Sequence, residues 1–150
     1  LAPTGALLQA GAVMGLGTDG CGSNNNLDLL EEARLAALIA KVREDDPTAV
    51  PAEAALRMAT LGGAQALHLG DTIGSLEVGK RCDCILMDLN APHLQPRHSL
   101  ISDLIYAAHS CDVRTAIVDG RVLMRDRALT TIDLDETIAK AGECAARLFA

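Results

Sequence analysis

The hydrophobic period of this chain changes near residue 70, and that change limits the fold more than any other feature of the sequence. Before it, the repeats are helical. Residues 5–10 read as a short helix ended by Gly11, a residue suited to the left-handed position beyond a helix. Ala12-Val13-Met14-Gly15-Leu16-Gly17 is an apolar run without polar alternation, as expected of a strand covered on both faces. It ends in Thr18-Asp19-Gly20 and a polar loop from Cys21 to Asn26. In the helix that follows, Asp28 precedes Glu31 by three residues, which puts acidic charge in the first turn. Leu35, Leu38, Ile39 and Val42 recur at helical spacing and predict one buried stripe. Asp45-Asp46-Pro47 breaks this helix, and Pro51 suits the start of another. There Ala55, Met58, Ala59 and Gly62 repeat the period with small residues that permit close packing, and residues 63–69 extend the helix.

After residue 70 the pattern becomes turn-rich and two-periodic. Residues 82–89 read as a strand, with Asp83, Ile85, Met87 and Leu89 on one face and Cys82, Cys84 and Leu86 on the other. Pro92 and Pro96 bracket a loop, and residues 100–108 suit a short helix. Val113 to Val118 and Arg121 to Met124 flank Asp119-Gly120, a hairpin signal, because a type I′ turn needs positive φ at both central positions. Arg125-Asp126-Arg127 marks a second turn before a strand over residues 128–132, and Asp133 can cap a last helix over residues 134–148. The fold class is therefore α/β, with helices and one buried strand up to residue 70 and mostly antiparallel β beyond.

Length and composition narrow the possibilities. A complete eight-stranded α/β barrel needs about 250 residues, and this chain has 150. One Tyr, one Phe and no Trp leave an aliphatic core. A net charge of -7 without a basic run argues against nucleic acid as a partner. The absence of any apolar run of about 18 residues argues against a membrane-spanning helix. Five cysteines, an odd number without C-x-x-C spacing, fit free thiols in a reducing cytoplasm. The opening from Leu1 to Gly5 lacks the charged and apolar regions of a signal peptide, and a first residue other than Met agrees with a chain that starts within a longer protein.

Asp19 is the residue with the most chemistry to offer. A carboxylate at the C-terminal end of a buried strand lies where barrel enzymes place catalytic groups. An aspartate that merely caps its own loop is the alternative. His68, His93, His98 and His109 show no ligand spacing among themselves and are expected at the surface. Cys82 and Cys84 could in principle grip a soft metal but are expected as buried small apolar side chains, and Cys21, which could be an exposed and reactive thiol, is expected simply to replace an alanine. Ser23 has no histidine partner for nucleophilic catalysis. Arg34 is expected to pair with Glu31 on a solvated helix face.

Gly17-Thr18-Asp19-Gly20, Ser23-Asn24 and Leu27 to Arg34 resemble the eighth-strand region of the amidohydrolase superfamily. The likeness continues through Ala55 to Thr60, Gly63-Ala64, Ile73 to Lys80 with Asp83, and Val118-Asp119-Gly120. Within that superfamily the chain is most similar to the 5-methylthioadenosine/S-adenosylhomocysteine deaminases and the related triazine hydrolases. The resemblance implies the C-terminal fragment of a (β/α)8 barrel over residues 1–70, contributing the last strand and its helices. It also implies part of a composite β-sandwich over residues 71–132, with a terminal helix packing back on the body up to residue 150.

The same resemblance makes Asp19 a ligand of zinc or another divalent metal and the group that exchanges a proton with the metal's water. Ser23 and Asn24 would brace the loop around it. The superfamily's His-x-His pair, its fifth-strand histidine and its sixth-strand acid have no counterpart in this sequence. The chain is accordingly expected to need the N-terminal part of the same protein and to be inactive alone. The implied reaction is hydrolytic deamination of a small aminopurine nucleoside by a cytoplasmic enzyme, with homo-oligomers implied too. Alternatives are a guanine-type deaminase, a triazine hydrolase, or a non-catalytic structural module.

Overall fold

A computed structural model describes residues 2–148 of the chain. The first half is helical. Helices α1 (Thr4–Gln9), α2 (Cys21–Asn24) and α3 (Leu29–Glu44) precede α4 (Ala52–Arg57), which passes through a π-helical turn (Met58–Gly62) into α5 (Gly63–Ala66). The second half holds strand β1 (Cys84–Met87), helix α6 (Leu100–Tyr106), strands β2 (Val113–Val118), β3 (Arg121–Arg125) and β4 (Ala128–Leu129), and helix α7 (Leu134–Leu148). The strands form one antiparallel sheet in the order β1-β2-β3-β4.

Local signals explain many of these boundaries. The Asp28 carboxylate accepts from the N–H groups of Leu30 and Glu31 and so caps α3, while Asp45, in the left-handed region at φ 50°, ends it. Asp133 caps α7 in the same manner, accepting from Glu136 N at 3.0 Å. Asp119 and Gly120 both take positive φ, 51° and 74°, as the type I′ turn between β2 and β3 requires. Asp126 and Arg127 repeat the device at the next turn. The strand expected over residues 128–132 shortens to two residues. The alternation expected over residues 82–89 is broken by a bulge between Leu86 and Met87, which gives one extra residue to one strand.

The core lies among α3, α4 and α6, and it is built from small side chains. Ala33, Ala37 and Ala40 on α3, together with Ala55, Met58 and Ile105, are buried. The expected stripe of Leu35, Leu38, Ile39 and Val42 is instead exposed, Val42 at 83%. An alanine seam lets backbones approach closely, whereas the bulky stripe faces the opposite side, where none of the described residues covers it. Arg34 also departs from expectation. Its guanidinium does not stay on a solvated face; Nε donates to Ile105 O at 3.1 Å and Nη2 to Ala108 O, satisfying carbonyls at the C-terminal end of α6.

Three further expectations change. Residues 12–17 run extended but join no sheet among the described residues, because a strand exists only where a neighbour takes its N–H and C=O groups. Leu16 N instead donates to Met58 O at 3.2 Å. The terminal helix α7 forms as expected, but among the described residues none of its side chains is buried. Cys82 is exposed and Cys84 half-buried, in place of the buried setting expected of both.

The extended run crosses the π turn at very close range. A Cβ on Gly62 would stand 2.5 Å from Met14 O and 2.9 Å from Arg57 O, and one on Gly15 would stand 2.7 Å from the Gly63 Cα. These obstacles are backbone atoms, which cannot swing aside. Gly62→Ala is therefore expected to destabilise the chain by about 1–3 kcal/mol, even though alanine is the better helix former. Urea denaturation measures this directly, and an unchanged midpoint would contradict the contact.

Candidate active site

The extended run delivers Asp19 to the molecular surface. Its backbone sits in the left-handed region at φ 58°, which Asp tolerates because its short polar side chain can bond locally. Oδ1 accepts from Gly20 N at 2.7 Å. That bond and a hydrogen bond with Ser23 hold the carboxyl below its ordinary pKa, against a small opposing effect of burial. Asp19 is thus an exposed, ionised carboxylate at neutral pH.

The other two residues expected here occupy the same cleft. Ser23 Oγ donates to Gly20 O at 3.2 Å, closing the first turn of α2. Asn24 reaches further: its Nδ2 donates to Thr18 O at 2.9 Å and to Glu32 Oε1 at 2.8 Å. Asn24 therefore ties the tip of the extended run to α3. Glu32 was not singled out by its sequence context, which shows only acidic charge in a first helical turn. Gly17, Thr18, Asp19, Ser23, Asn24 and Glu32 line an open cleft of about 270 Å³. Its opposite wall is missing among these residues.

A second polar cluster lies away from this cleft. His93 Nε2 meets Asp112 Oδ2 at 2.9 Å, and His109 N donates to the same oxygen at 2.8 Å. All four histidines are exposed, as expected, yet two of them converge on Asp112, which is only 7% exposed. Burial raises the Asp112 pKa, but the His109 N–H, the His93 bond and the charges of both histidines outweigh it, leaving a net value below the ordinary 3.8. A carboxyl depressed in the folded state stabilises above its unfolded pKa and loses that contribution as pH falls through the folded value. His93→Ala is expected to cost about 1 kcal/mol at neutral pH, since Asp112 keeps its bond from His109. The difference from the parent should shrink below pH 3.8, as urea midpoints across a pH series would register.

The described residues contain no group of three or more His, Cys, Asp or Glu side chains placed to hold a metal ion. Asp19 fits the part of a single oxygen donor, being ionised, exposed and at the mouth of an open cleft. No helix among the described residues is long and apolar enough to cross a membrane.

These features define a mixed α/β chain with a small antiparallel sheet and a carboxylate presented at the end of an extended segment. The family profile described as "Amidohydrolase family" matches residues 2–123, and the chain belongs to that family. It is 53% identical over 148 residues to the 5-methylthioadenosine/S-adenosylhomocysteine deaminase of Pelotomaculum thermopropionicum, covering 99% of this chain and 34% of that protein. The crystal structure of an adenosine deaminase from Xanthomonas campestris with bound zinc superimposes with a TM-score of 0.96 at 44% identity, over 98% of this chain and 34% of that one. The zinc complex of atrazine chlorohydrolase from Arthrobacter aurescens matches with a TM-score of 0.83 at 34% identity, over 95% of this chain and 32% of that one. The chain thus spans about a third of the length of the proteins it matches and is homologous to metal-dependent deaminases.

Proposed function

We propose that this chain is the C-terminal part of a zinc-dependent enzyme that hydrolytically deaminates an adenosine-type nucleoside, with methylthioadenosine and S-adenosylhomocysteine as the substrates of first choice. The observation that carries this reading is the 53% identity, along 99% of the chain, to a deaminase named for those two nucleosides. In this reading residues 12–17 are the last barrel strand, and the neighbours that would complete its ladder lie outside the described residues. The same neighbours would cover the exposed leucine stripe of α3.

Zinc, when bound, supplies a water acidified enough to attack near neutral pH. Asp19 contributes one oxygen donor and, at Oδ2, accepts a proton that it later delivers to the departing amine, which leaves as ammonia. The Gly20 N–H orients the carboxylate through Oδ1 and keeps it ionised beforehand. Asn24 fixes the segment that carries it by bonding Thr18 O and Glu32 together.

The test is to join the chain to the remaining two thirds of such a protein, load it with zinc and follow ammonia release from a panel of substrates. Release from methylthioadenosine or S-adenosylhomocysteine is expected, with none from the 150-residue chain alone. Activity confined to guanine or to a triazine would move the assignment to another branch of the family. A folded, zinc-loaded protein that acts on none of them would leave a structural module.

A further inference from the structure

The hydrogen bonds of Asp19 are local. Its carboxylate accepts from Gly20 N at 2.7 Å, and its carbonyl accepts from Thr18 Oγ1 at 3.0 Å. Such bonds move with the loop and cannot aim it. Helix α2, which follows, has four residues and ends at Asn25 in the left-handed region at φ 63°. So short a helix is marginal by itself. Two side chains tie this loop to α3. Asn26 Nδ2 donates to Glu31 Oε2 at 2.7 Å, an exposed bond beyond α2. Asn24 Nδ2 donates to Glu32 Oε1 at 2.8 Å and to Thr18 O at 2.9 Å, a half-buried pair that uses both amide hydrogens. Thr18 O belongs to the peptide unit that contains Asp19 N. Holding that oxygen sets the peptide plane from which Asp19 takes its φ of 58°.

The far end of this link is firm. Glu32 stands in the first turn of the 16-residue α3, beside the fully buried Ala33, and Glu32 N donates to Asp28 O at 3.1 Å. We propose that Glu32 is a positioning residue for Asp19: through Asn24, its carboxylate holds the Thr18–Asp19 peptide and so aims the reacting oxygen. The proposal rests on the role given to Asp19 above. It requires an acceptor at Glu32 and not a charge, because Asn24 bonds a single oxygen there. Glutamine supplies that acceptor in the same shape. Alanine supplies none, although as a good helix former it leaves α3 intact.

The experiment places Glu32→Ala, Glu32→Gln and the control Glu31→Ala both in the joined, zinc-loaded protein and in the metal-free 150-residue chain. In the enzyme, Glu32→Ala should lower kcat by about 10²-fold, the cost of an ångström of misplacement, with KM nearly unchanged. Glu32→Gln and Glu31→Ala should keep kcat near that of the parent. In the metal-free chain, backbone amide relaxation should give order parameters of about 0.85 at Asp19 and Gly20 for the parent, Glu32→Gln and Glu31→Ala, falling below about 0.6 in Glu32→Ala. Either readout left unchanged by Glu32→Ala overturns the proposal. So does a Glu32→Gln protein no better than Glu32→Ala, since that result gives Glu32 a role that needs its charge. If the joined protein deaminates no substrate, the reading of Asp19 fails, and the order parameters alone decide whether Glu32 holds the segment.

Discussion

Asp19→Asn, placed in the full-length zinc-loaded protein, is expected to slow ammonia release by about 10²–10⁴-fold, the range associated with a positioned proton-transfer group. The substitution is close to isosteric and separates charge from shape. Asparagine tolerates the left-handed φ of 58° as aspartate does, and its carbonyl oxygen can still accept from Gly20 N, the bond now made at 2.7 Å. Stability of the metal-free protein should consequently be unchanged, which a thermal melt records. What disappears is the anionic oxygen, and with it both a metal donor and a base. The loss should fall on kcat more than on KM, and bound zinc should decrease in the same preparation. A near-normal kcat would show that Asp19 does no more than cap its own loop.

Met58→Ala is expected to destabilise the chain by about 2–5 kcal/mol, the usual cost of truncating a fully buried large side chain. Met58 is 2% exposed and is one of the two largest side chains sealed in the core. It also begins the π turn, whose Met58 carbonyl holds Leu16 N at 3.2 Å. A cavity there undermines the platform over which the Asp19-bearing segment runs. For a chain of this size the melting temperature should drop by about 4–20 °C, and Met58→Leu, which preserves volume, should cost less than about 1.5 kcal/mol. Scanning calorimetry of the three proteins decides the matter; equal losses for Ala and Leu would show that shape, not burial, is what the site demands of Met58.

Signals that act over a few residues were legible. Asp28 and Asp133 cap α3 and α7 because a carboxylate answers N–H groups two or three residues on, whatever lies further away. Asp119-Gly120 turns the β2–β3 hairpin because the dipeptide tolerates positive φ at both positions. The motifs around Asp19 carried the family likeness along nearly the whole chain, and the match over residues 2–123 agrees with it. The ties from Asn24 to Thr18 and Glu32 were not legible. They depend on side-chain directions that spacing alone leaves open.

Sequence by itself determined the helix ends, the tight turns, the α/β character and the aspartate at the close of the apolar run. Tertiary structure alone decided which face of α3 is covered: its alanines, small enough for backbones to meet, went inside, and its leucines stayed in water for want of a neighbour. It also set residues 12–17 against the π turn, where among the described residues they pair with no strand. The reason is common to both. A cap or turn is completed by bonds among adjacent residues, whereas burial and strand pairing exist only where another surface arrives to share them.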